Sequence, residues 1–148
     1  MKNLSVVVFS LLVLGLVGCG KPAPSVPTSS SHAAAEQAAI ESAQAWLALV
    51  DGGNYAQSWE KAAAPFQTAV KQAEWEKTIR GVRAPLGKVV SRQVSAQQFV
   101  TSLPGAPAGE YVVIQFNTTF DNRPNAVETV TPMLDQAGQW KVSGYFIK

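Results

Sequence analysis

Groups able to act as nucleophile, base or metal ligand are scarce in this chain. It holds one cysteine, Cys19, and one histidine, His32. Cys19 ends an apolar run, and His32 follows three serines in a segment rich in proline, serine and alanine. That setting reads as solvated spacer or the start of a helix, not as a ligand or a base. Serine or cysteine nucleophiles of the triad type need an imidazole beside them, and ordinary zinc sites need several histidine, cysteine or carboxylate ligands. Neither set is present, and no metal or cofactor is expected. No phosphate loop exists either, because Gly52-Gly53 has no lysine after it.

Carboxylates and tyrosine are what remain. Glu128 lies in "AVETVTPML", where side chains alternate between the two faces of a strand. If Ala126, Val130 and Leu134 face inward, Glu128 faces inward with them. In the other register Val127, Thr129, Thr131 and Met133 face the core. A carboxylate taken out of water must be paired or must shift its titration. Arg83 and Arg92, near the first expected strand, are the candidate partners, and Glu110, at the start of another strand, is a competing acid. Such a cluster serves either as a fold-specifying ion pair or as the proton-transfer group of a pocket. A second candidate surface is the polar side of "EYVVIQFNTTF", with Tyr111, Gln115, Asn117 and Thr119 on one face and Val112, Ile114, Phe116 and Phe120 on the other. A polar face with a tyrosine suits contact with a partner or a second copy, and antiparallel sheets also leave one face wet without function.

The elements that would position these groups follow from periodicity. Ile40, Ala43, Trp46 or Leu47, and Val50 recur at helical spacing, and Gly52-Gly53 ends the helix. Asn54 with Gln57 forms a capping-box pattern for a second helix that carries Tyr55 and Trp59 and stops near Pro65. A third helix is expected over Phe66–Arg80, closed by Gly81. From Arg83 onward the period is two. Strands are expected at Gly87–Val100, Glu110–Phe120, Ala126–Leu134 and Gln139–Lys148, with Trp140, Val142 and Phe146 of the last sharing the inward face. Helices followed by a meander of strands predict an α+β domain, three N-terminal helices packed on a curved four-stranded antiparallel sheet.

The first eighteen residues read differently. After Lys2, Leu4–Val17 is an uncharged stretch of 14 residues. A membrane-spanning helix needs about 20, and the apolar region of a secretory signal roughly 7 to 15. At its end, Leu16-Val17-Gly18-Cys19 resembles the bacterial lipoprotein box. The resemblance implies diacylglyceryl attachment to the Cys19 sulfur, cleavage after Gly18, and fatty acylation of the new amino terminus. The implied organisation is a signal peptide over 1–18, a lipidated cysteine with a Pro/Ser/Ala-rich tether over 19–34, and one domain over 35–148. Gly20 stands where lipoproteins kept in the inner membrane often carry aspartate, which favours the periplasmic face of the outer membrane. With Lys2 removed, 11 basic residues stand against 10 acidic ones. No basic patch interleaves with aromatics, so no nucleic-acid partner is expected. The membrane, reached through the lipid, is one partner; an unidentified small molecule, an envelope protein or a second copy is the other.

"AWLALVDGGNYAQSWEKAA", "RAPLGKVVSR", "TSLPGAPAGEYVVIQF" and "VETVTPML…GQWKVSGYFIK" resemble a bacterial family catalogued as domain of unknown function 4019. "WLALVDGGNYAQSW" is more distantly similar to the cone-shaped α+β fold typified by nuclear transport factor two. That second likeness implies a pocket between helices and sheet. Many cone-fold members start the third helix at serine or threonine, whereas Lys71 stands at the nearest place here. Together these readings imply a non-enzymatic, lipid-anchored binding or interaction module of the cell envelope. The alternative is a small carboxylate/tyrosine enzyme moving a proton on an apolar molecule, with Glu128 or Glu110 in the pocket.

Overall fold

The computed structural model describes residues 29–148; Leu16, Val17, Gly18 and Cys19 lie outside the described residues. The order is α1 (Ser29–Asp51), α2 (Tyr55–Lys61), α3 (Ala64–Ala69), α4 (Gln72–Arg83), a 3-10 turn (Ala84–Leu86), β1 (Val89–Val100), β2 (Tyr111–Phe120), β3 (Arg123–Leu134) and β4 (Trp140–Ile147). The strands form one open antiparallel sheet in the order β1-β2-β3-β4, with the helices packed against it. The fold is α+β. α1 starts at Ser29, inside the segment that composition assigns to the tether, and His32 stacks on Phe99 of β1 with ring centres 4.4 Å apart instead of standing free in solvent. Among the described residues no helix is long and apolar enough to cross a membrane.

Four helices replace the expected three, for local reasons. Asn54 begins α2 but its side chain makes no capping bond, so the capping-box reading fails there. α2 ends at Lys61, four residues short of Pro65, and Pro65 instead opens α3, where its missing N–H costs nothing. Val70 and Lys71 are extended, which splits the expected Phe66–Arg80 helix, and the indole N–H of Trp59 donates to the Val70 carbonyl at 2.8 Å. Lys71 is the N-cap of α4. Gly81 does not end α4, which runs on to Arg83 before Pro85 and Gly87 redirect the chain. Gly87 has φ +79, and a Cβ there would lie 2.9 Å from Asp121 Cβ.

The core lies between helices and sheet. Ala39, Ala43, Trp46, Leu47 and Val50 form the buried stripe of α1, and Val112, Ile114 and Phe116 face them from β2. Two indoles converge on buried Ser58: the Trp46 N–H donates to its carbonyl at 2.7 Å and the Trp75 N–H to its hydroxyl at 2.9 Å. The tryptophans thus bury large rings while each polar N–H finds a partner.

Bulges decide which side chains face that core. Between Thr131↔Gly144 and Pro132↔Val142 the β3–β4 register slips by one, with Ser143 as the extra residue. A bulge exchanges the two faces beyond it. Trp140 and Val142 therefore point inward before it, Tyr145 and Ile147 after it, and Phe146 points outward, 55% exposed. The expected shared face of Trp140, Val142 and Phe146 is corrected accordingly. The same irregularity tolerates buried Pro132 in a central strand, where proline cannot serve the ladder. The turn that precedes β4 is held by Asp135, whose carboxylate lies below its ordinary titration range through the Lys141 side chain first and the Gln139 backbone N–H second.

Because Phe146 faces solvent and Phe116 the core, Phe146→Ala should cost less than about 1 kcal/mol and Phe116→Ala about 3–5 kcal/mol. Urea unfolding of the two variants checks this, and equal losses would contradict the bulge assignment.

Candidate functional site

One polar cluster lies on the inner face of the sheet, where its members are held by six different elements. The register puts Ala126, Glu128 and Val130 inward, and Glu128 is 0% exposed. Arg83 arrives from the last turn of α4, Arg92 from β1, Thr118 from β2 and Tyr145 from β4 beyond the bulge. Asp51, the last residue of α1, closes the group from outside.

Each Glu128 oxygen accepts two bonds. Oε1 takes the Tyr145 hydroxyl at 2.5 Å and Arg83 Nη1 at 3.4 Å. Oε2 takes Arg92 Nε at 2.6 Å and the Thr118 hydroxyl at 2.5 Å. A carboxylate offers about four acceptor positions, so Glu128 is saturated. Asp51 then bridges the two guanidiniums: Oδ1 accepts from Arg83 Nη2 at 2.7 Å and from Arg92 Nη2 at 3.0 Å, and Oδ2 from Arg92 Nη1 at 2.6 Å. Arg83 also lies 4.6 Å over the centre of the Phe120 ring. Two cations meet two anions, and no buried side-chain nitrogen or oxygen among the described residues lacks a partner.

The electrostatics follow from burial. Burial works against the charge on Arg92, but the hydrogen bonds and charges of Asp51 and Glu128 outweigh it and raise its pKa above the ordinary value. The Tyr145 hydroxyl is pushed well above its ordinary range, by burial first and by the negative charge of Glu128 second. Tyr145 thus stays a proton donor to the carboxylate and is no ready acid for a substrate. Its ring also joins the aromatic cluster, 5.3 Å from Trp46 and 6.4 Å from Trp75 between centres.

The other residues singled out in the sequence sit elsewhere. Glu110 is exposed, belongs to no ion pair found among the described residues, and contributes only its carbonyl to the Leu134 N–H; it is not part of the Glu128 cluster. Tyr111 is not on a wet face. The loop 101–110 folds back over it, Gly109 packs on its ring and its hydroxyl donates to the Pro107 carbonyl at 2.7 Å. Gln115 and Asn117 are exposed and Thr119 half-buried on the outer face, where Asn117 and Thr119 border a shallow cleft of about 370 Å³ with Ser91, Gln93 and Asn125. Asp51, Thr118 and Tyr145 carry no chemical motif in the sequence. Thr118 had a usable signal, sharing the inward face with Phe116 and Phe120; Tyr145 had none, because its orientation depends on the bulge.

Glu128 lines none of the five principal clefts of the described residues. The cluster meets solvent through Asp51, 26% exposed, which with Arg83 and Lys88 borders a cleft of about 420 Å³. No group of three or more histidine, cysteine, aspartate and glutamate side chains converges among the described residues.

Comparison with known proteins adds one finding. The family described as "Protein of unknown function (DUF4019)" matches residues 42–145. The chain belongs to that family. The match starts at Ser42 in α1 and ends at Tyr145, so it spans every member of the Glu128 cluster. No curated protein and no solved structure matches the chain.

Removing Glu128 leaves two buried guanidiniums with one carboxylate between them, and breaking a buried pair costs about 3–5 kcal/mol. Glu128→Ala should lose about that much in urea unfolding; a loss below about 1 kcal/mol would show the cluster to be dispensable for folding. Tyr145 supplies a pH test. In the unfolded chain its hydroxyl ionises near pH 10, whereas in the folded chain it stays protonated to higher pH. Above about pH 10 the unfolded chain therefore binds fewer protons, and stability falls as pH rises. Tyr145→Phe should flatten that fall in the urea midpoint, and an unchanged slope would contradict the assignment.

Proposed function

We propose that this member of the DUF4019 family is a lipid-anchored protein of the bacterial envelope whose domain works as a binding or interaction module and not as an enzyme. The observation that carries the non-enzymatic part is the saturation of Glu128. A general base must reach a substrate proton within hydrogen-bond distance, and four protein donors already occupy its oxygens. The proton-transfer alternative needs that carboxylate in the wall of a cavity, and this arrangement gives it no support. The cone-like reading of the fold draws support from helices on one face of a bulged antiparallel sheet.

The anchor and the address rest on sequence: a short apolar leader, Leu16-Val17-Gly18-Cys19, and Gly20 behind it. Two or three acyl chains on Cys19 hold a domain firmly where one binds reversibly. The outer membrane, with the domain in the periplasm, is the preferred site. The partner is an envelope protein or an apolar small molecule. Exposed Phe146, across Thr129 from Gln115 on the outer face, favours a protein surface, a second copy included.

Cys19→Ala should move the protein from the membrane to the soluble fraction, and the wild-type intact mass should lack residues 1–18 and carry fatty acyl groups. Continued membrane fractionation of the variant would contradict the anchor. Cross-linking in intact cells followed by purification should yield an envelope protein or a dimer, whereas a turned-over small molecule lost in Glu128→Gln would revive the enzymatic reading.

A further inference from the structure

The sheet register and the first turns of α1 place the chain's emergence at one end of the domain. Val100 pairs with Tyr111, Tyr111 with Met133, and Leu134 with Trp140, so the loop 101–110 and the turn 135–139 project from the same end of the sheet. α1 enters there too. His32 stacks on Phe99, and Glu36 Oε1 accepts the Phe99 backbone N–H at 3.2 Å, which pins the helix to the last residues of β1. Nine residues lie between Cys19 and Ser29, a span of at most ~35 Å fully extended.

The chemistry of this end differs from that of the other. Residues 29–38, 101–110 and 135–139 contain no lysine or arginine, and Pro104, Ala106, Pro107 and Ala137 are exposed at the tips. Between the tips opens a cleft of about 590 Å³ walled by Pro65, Pro107, Met133 and Leu134. Arg83, Lys88, Arg92 and Arg123 all lie toward the opposite end. Lys141 at this end is paired with Asp135 at 2.8 Å, Lys61 stands apart beside the cleft of Gln139 and Trp140, and Glu110 is exposed, so no basic cluster attracts anionic headgroups; the small apolar tips suit shallow contact with the headgroup–acyl boundary, where apolar burial supplies the binding.

We infer that this loop end is the surface that rests on the bilayer, with the Asp51–Arg83–Arg92–Glu128 end turned away from it. The inference rests on the Cys19 anchor: the tether enters at this end and keeps it within reach of the membrane, and the pinned start of α1 resists swinging the domain over.

The test uses the full, acylated protein in neutral phosphatidylcholine vesicles, with nitroxide labels on Ala106→Cys and Ala137→Cys at the loop end and on Lys88→Cys and Arg123→Cys at the other. The labels at 106 and 137 should lose accessibility to a water-soluble nickel relaxant on vesicle binding, those at 88 and 123 should keep it, and added anionic lipid should leave the pattern unchanged. Equal accessibility at all four positions in a protein that carries acyl groups and sediments with vesicles overturns the orientation alone. A protein without acyl groups that stays in the supernatant overturns the anchor, and the orientation with it.

Discussion

A carboxylate removed from water has to be met by donors and by opposite charge, and at Glu128 that requirement links one end of the helical layer to three strands. Desolvating an ion costs several kcal/mol even after the surroundings relax. Glu128 recovers it only because Arg83, Arg92, Thr118 and Tyr145 come from α4, β1, β2 and β4 at once. Asp51 then neutralises the second guanidinium charge and ties the end of α1 to the same point. A one-residue slip in any of these strands would turn a donor away. The cluster therefore specifies register as well as stabilising the packed state, and the Ser143 bulge lets Tyr145 reach the acid while Trp140 and Val142 still fill the core.

That dependence also explains what could be read from sequence. Alternation put Glu128 among inward residues, and charge balance pointed to the two arginines, because both arguments need only local spacing and the cost of burying charge. Asp51 lay beyond their reach, since a helix-ending aspartate before two glycines looks like any exposed cap. Phe146 and Tyr145 exchanged their expected faces because strand alternation carries no sign of an inserted residue. Tyr111 departs from its expected wet face for another reason: the loop 101–110, rich in proline and glycine, folds back and roofs the ring, which strand alternation does not show. In the helical layer the composition located the helices, but Val70 and Lys71 break one of them through a tertiary bond from Trp59 that no local propensity contains.

Functionally, the two ends of the domain are unlike. One end holds a neutral set of charges with Glu128 fully buried inside it and Asp51 the most exposed of its charged members. The other presents small apolar tips around a cleft, next to the point where the chain leaves for Cys19. In the proposed tethered interaction module, the polar chemistry of this chain holds the sheet and its surfaces are left for contact.

The most direct measurement is a double-mutant cycle between Glu128→Gln and Arg92→Met, followed by urea unfolding. Residues sharing one buried hydrogen-bonded network couple by about 0.5–3 kcal/mol, and the two losses should fall short of additivity by more than about 1 kcal/mol. Losses that add to within about 0.3 kcal/mol, as for independent sites, would mean that the acid and the guanidinium do not act as a unit, and the account built on them would fall.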